Sequence, residues 1–179
     1  MRGLSWNLRI VLGLALLVIL AAIVFFIYYT VVRLDRDGPI DVDTYPNASV
    51  VNEESIGEDG DHIQYVSNAP DASPGGVTQH ALDIEKFYRD RDYTCRTQYG
   101  DTSTGILNEQ IYIRSSCLLD RSHGLGFKQS VQMIIQPNRT PPVYRDNNPQ
   151  NDIVSGNEFT GEVIIDVQRS WGNVGLTGK

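Results

Sequence analysis

The segment Gln110–Asp120, QIYIRSSCLLD, alternates with a period of two. Ile111, Ile113, Ser115, Cys117 and Leu119 fall on one side, and Gln110, Tyr112, Arg114 and Ser116 on the other. Successive side chains of an extended chain point to opposite faces, so this pattern describes a strand with one buried face. The flanking segments repeat it. Upstream, Tyr93, Cys95, Thr97 and Tyr99 alternate with Thr94, Arg96 and Gln98, and the glycine-bounded run from Gly100 to Gly105 is turn chemistry. Downstream, Phe127, Gln129, Val131, Met133 and Ile135 alternate with Lys128, Ser130, Gln132 and Ile134, and Pro137 is expected to stop that strand. A last strand places Val163, Ile165, Val167 and Trp171 opposite Glu162, Ile164, Asp166 and Gln168. Between these two, residues 137–158 read as a long polar loop of proline and asparagine.

Ahead of the strands the period changes to that of a helix. Val77, Ala81, Ile84 and Tyr88 form a stripe, widened by Leu82 and Phe87, while Gln79, Asp83, Glu85, Lys86, Arg89 and Asp90 take the polar side. A helix over 78–91 is predicted, with Thr78 as its N-cap and His80 solvated near its start. One helix followed by strands joined through turns predicts an α+β domain over 77–171: a helix packed on a small antiparallel sheet of three or four strands. The tail 172–179 is expected to fray.

Two cysteines, Cys95 and Cys117, lie on inward faces of consecutive predicted strands. An even pair with no CxxC and no nearby histidine pair points to a disulfide rather than a metal site. Register tests the idea. A tight hairpin centred on Thr102 and Ser103 would put Cys95 opposite Gln110. Bridging needs pairing about a midpoint near Ile106, with a wider loop from Gly100 to about Asn108.

Farther upstream, residues 33–76 read as a flexible acidic linker. From Asp35 to Asp61 there are nine acidic side chains and one basic one, Arg36, with prolines and glycines interspersed. Such a composition buries too little apolar surface to offset chain entropy. Val50-Val51 and Ile63–Val66 are its only strand-like patches. The stretches at Asp35–Gly38 and Glu58–Asp61 lack the further ligands and distal Glu of a calcium loop.

Ahead of the linker, Ile10 to Val32 is a run of 23 uncharged residues. As a helix it reaches roughly 35 Å, enough to cross a hydrocarbon core about 30 Å thick. The run is too long for a signal peptide's apolar region and ends in Phe25, Phe26, Ile27, Tyr28 and Tyr29 without a small-residue cleavage site. It therefore reads as an uncleaved anchor, with Trp6 and Tyr28 and Tyr29 at the two interfaces. Residues 1–9 form a tail. The arginines flanking the run tie in number, Arg2 and Arg9 against Arg33 and Arg36, so the cysteine pair orients it. The tail is expected in the cytoplasm and the C-terminal domain outside it.

Net charge over the 179 residues is −7, which disfavours a nucleic-acid partner because phosphate binding needs a basic surface. The chain has no G-x-S-x-G, HExxH, P-loop or GxGxxG. Asp120 and Asp166 are the carboxylates nearest to strands, and Asn47 and Asn138 head Asn-x-Ser/Thr triplets. No catalytic residue, cofactor or metal site is expected. Alternation leaves Tyr112, Arg114, Lys128 and Gln132, with Gln136 and Gln168, on the solvent face, a candidate binding face for a protein or envelope component. The alternatives are a structural subunit assembled through its membrane helix and, after it, a hydrolase.

Overall fold

The computed structural model describes residues 6–100, 112–122, 127–140, 143–144, 153–155 and 158–172. Two helices and eight strands occur among them. Helix α1 (Trp6–Arg36) is followed by β1 (Ser49–Ser55), β2 (Gly60–Asn68) and helix α2 (Pro74–Arg89). Then come β3 (Thr94–Gly100), β4 (Tyr112–Asp120), β5 (Ser130–Arg139), the short β6 (Val143–Tyr144) and β7 (Ile153–Ser155), and β8 (Phe159–Ser170).

The sheet has six strands in the order β1-β2-β8-β5-β4-β3, every neighbouring pair antiparallel, with β6 and β7 forming a separate ribbon. The α+β class and the antiparallel meander β3-β4-β5 agree with the sequence. The expected count of three or four strands does not. The difference comes from residues 33–76, which the sequence presents as a disordered linker. They supply β1 and β2, and β2 pairs along its whole length with β8, from Gly60 opposite Ser170 to Asn68 opposite Glu162. The acidic composition is compatible with strand because the charges need not be buried. All seven residues of β1 are exposed on the sheet's edge, and β2 alternates Ile63, Tyr65 and Ser67 inward. The preceding stretch is packed as well. Ile40 is buried, and Val42, Tyr45 and Ala48 lie against the core.

Helix α2 covers one face of the sheet. Its stripe of Val77, Ala81, Ile84 and Tyr88 meets Ile113, Val131, Met133, Ile135, Val163, Ile165 and Val167. The helix starts earlier than expected. Ser73, not Thr78, is the N-cap, its hydroxyl accepting from the Gly76 N–H at 3.1 Å, and Pro74 opens the first turn. Proline suits that place because its missing N–H would have no helical partner there. Strand β5 continues through Pro137, which stands opposite Val163, and a register shift before Arg139 absorbs the interruption. Strand β8 ends at Ser170, so Trp171 lies beyond it, half-buried rather than in the core.

Cys95 and Cys117 stand directly opposite in the β3–β4 register, with Cα atoms 4.0 Å apart and sulfurs at bonding distance, 2.01 Å. This is the pairing about Ile106 that bridging requires. Most of the loop that makes it possible lies outside the described residues, as does much of the stretch between β5 and β8.

Helix α1 is apolar over Ile10 to Val32 and long enough to cross a membrane. Its C-terminal end is held against the domain. The Tyr29 ring packs on Phe127 with centroids 5.3 Å apart. The Arg36 guanidinium donates to the Arg121 carbonyl and, at 3.0 Å, to Gln129 Oε1. Gln129 Nε2 in turn donates to the Gly38 carbonyl at 2.9 Å.

Candidate functional site

The sheet has two faces, and α2 covers only one. On the other, β2, β8 and β5 bring His62, Asp166, Gln168, Gln132 and Ile134 together around a shallow depression, with Gln64 hydrogen-bonded to Asp166. Register explains the grouping. Gln64 stands opposite Asp166 and Asp166 opposite Ile134, while His62 stands opposite Gln168 and Gln168 opposite Gln132. Asp166 is the hub. Its Oδ1 accepts from Gln64 Nε2 at 2.8 Å and lies 3.5 Å from His62 Nε2. The His62 and Asp166 side chains are 33% and 24% exposed, so solvent or a partner reaches both. Val66 and Ile164, paired across β2 and β8, add half-buried apolar surface beside them.

The four residues expected as a binding face are not one cluster. Gln132 lies in the depression and is exposed, opposite Leu118. Arg114 is exposed on β4, four residues along the strand from Leu118, or roughly 13 Å at a strand's rise. Tyr112 opens β4 opposite Gly100, farther still in that direction. Lys128 precedes β5 at the opposite end, near the C-terminal end of α1, where its N–H donates to the Gly172 carbonyl at 2.8 Å. His62 and Gln64 are site residues that sequence reasoning assigns to the linker. Their signal is the alternation around Ile63 and Tyr65, which the acidic surroundings mask.

Two polar clusters lie on the covered face. Ser67 Oγ is 2.9 Å from His80 Nε2, and Tyr45 packs edge-on against the imidazole. His80 is thus buried, not solvated as its neighbours in sequence imply. Desolvation pushes its pKa below the usual histidine value, with Asp83 opposing. Ser67 is 1% exposed, so this serine–histidine pair joins β2 to α2 and offers no open nucleophile. Glu85, read from sequence as part of the polar stripe, is also buried, with a side chain 3% exposed. Its carboxylate accepts from the Thr97 hydroxyl, from Ser115 Oγ at 2.7 Å, and from Arg89 one turn on. That satisfies a charge whose burial alone would be costly.

Asp120, the other strand-associated acid, sits at the exposed end of β4. The Ser122 hydroxyl and N–H hold its carboxyl below the usual range. Among the described residues no three His, Cys, Asp or Glu side chains converge as a metal site would require. No family model, curated protein or solved structure matches the chain.

Proposed function

We propose that the chain is a single-pass, membrane-anchored binding or accessory module, its C-terminal domain outside the cytoplasm, meeting a protein or envelope component through the open face of the sheet. The observation that carries this reading is the Asp166-centred depression. Hydrogen-bonding groups from three adjacent strands converge beside Ile134 on a face that no described element covers. Polar anchors around a small apolar centre, mounted on rigid strands, are what a specific contact needs. The cysteine pair supports an oxidising compartment. A hydrolase has less support, since the only close serine–histidine pair among the described residues is buried.

Site-specific photocrosslinking tests the reading in cells. A photoreactive residue at Gln132 is expected to capture a neighbour from outside the cytoplasm. The same residue at Gln79, exposed on α2, is expected to capture much less. Equal capture at both positions, or capture of cytoplasmic proteins alone, would overturn it.

A further inference from the structure

The end of the domain nearest α1 is built from the β4–β5 connection, the end of β8 and the chain just after the helix. Phe127 is buried, its ring against Tyr29. Tyr29 belongs to the apolar run itself. Taking Ala21 as the centre of that run, Tyr29 is eight residues away, or about 12 Å along the helix, while the hydrocarbon half-thickness is about 15 Å. A side chain packed on Tyr29 is therefore at the level where acyl chains give way to headgroups. The contact is not isolated. Arg36 and Gln129 tie the last helical turn to the β4–β5 connection, and the Gly172 N–H donates to the Arg36 carbonyl at 3.4 Å. Trp171 thus follows β8 beside the exit of the helix, and exposed Arg33, Arg121 and Lys128 belong to the same end. Aromatic rings with basic side chains above them are the residue types that settle at a bilayer interface. Asp35, Asp37, Asp59 and Asp120 lie nearby, so the end carries both signs of charge, and it is the depth of Tyr29 on the helix, not net charge, that brings this end to the interface.

We infer that this end of the domain is a lipid-contact surface: Arg121, Phe127, Lys128 and Trp171 seat in the phospholipid headgroup layer, fixing the sheet at one height and orientation on the membrane. This rests on α1 being a membrane span. A seated domain presents its open face to partners at the membrane surface, whereas a domain on a long tether would sweep a volume above it.

The full chain reconstituted in phosphatidylcholine vesicles tests this. Trp6→Phe leaves Trp171 as the single tryptophan of the two. Its emission is expected to be lost in lipids brominated near the top of the acyl chains and to be protected from aqueous acrylamide. A second measurement avoids aromatic substitution. A nitroxide on Lys128→Cys is expected to be more accessible to oxygen, and less to a water-soluble nickel complex, than one on Gln98→Cys, which sits on β3. The seating is overturned if the protein floats with vesicles while Trp171 and the Lys128 label behave as fully aqueous. Failure to float would instead overturn the span.

Discussion

Ile164 and Ile165 are neighbours in β8 and belong to different environments. Ile165 is fully buried beneath α2, and Ile164 is half-buried on the open face. The same division separates two carboxylates. Glu85 is enclosed by hydroxyls and Arg89, while Asp166 holds Gln64 beside an accessible His62. One face of the sheet is committed to stability, and the other keeps polar groups that the fold itself does not need to bury. Function is sought on the second face for that reason.

Substitution of the paired isoleucines is the strongest way to break the contrast. Ile165→Ala is expected to cost about 2–5 kcal/mol in urea unfolding, through lost transfer energy and a residual cavity. Ile164→Ala is expected to stay within about 1 kcal/mol, because its site is open to solvent. Equal losses would mean that something covers the open face in solution. Next comes the bridge. Replacing Cys95 and Cys117 together by alanine opens a loop of 22 residues and is expected to cost roughly 3 kcal/mol in the chain-entropy account. Maleimide labelling of the mature protein without reductant checks the premise, and free thiols there would also remove the argument for an oxidising compartment.

The carboxylates follow. Glu85→Ala leaves the Thr97 and Ser115 hydroxyls without their acceptor and is expected to cost about 1–3 kcal/mol. Asp166→Ala, at a site that water reaches, is expected to cost less than about 1 kcal/mol while weakening any partner contact. A smaller effect concerns His80. Burial disfavours its charged imidazolium, so the unfolded chain takes up a proton near the ordinary value of about 6.5 before the folded chain does. Its contribution is therefore complete above that pH and declines as the pH falls below it. Thermal unfolding at stepped pH should show this decline in the native protein and less of it in His80→Gln. The smallest effect is expected on stability at Gln132 and Arg114. Alanine at either should leave stability within about 0.5 kcal/mol. With the photoreactive residue moved to Gln168, crosslinked adduct is expected to fall with Gln132→Ala more than with Arg114→Ala, because of these two only Gln132 lines the depression.

Legibility in the sequence followed the range of the interaction that decides each feature. Strands β3, β4 and β5 were readable because alternation is a property of adjacent residues. The α2 stripe was readable at helical spacing, and counting along the hairpin stated the register that a Cys95–Cys117 bridge requires, with a tight turn as the rival; the structure has the bridging register. Strands β1 and β2 showed only as the short patches Val50-Val51 and Ile63–Val66, because an exposed edge strand need not look apolar and because nine acidic side chains lie ahead of the two inward apolar residues of β2. Gln132 could be placed on the open face from its parity alone. Its neighbours His62 and Gln64 could not, since they reach it from nearly 70 residues away in sequence.

By itself, then, the sequence determined an apolar helix long enough to span a bilayer, the amphipathic α2, the period-two strands and the inward parity of the two cysteines. All are local regularities or short-range register. Tertiary structure decided that β8 enters between β2 and β5, that His80 and Glu85 are buried, that Asp166 gathers a polar cluster, and that Tyr29 meets Phe127. Each of these depends on which distant segments pair, and that choice rests on the summed burial of one whole face, which no single stretch of the chain encodes.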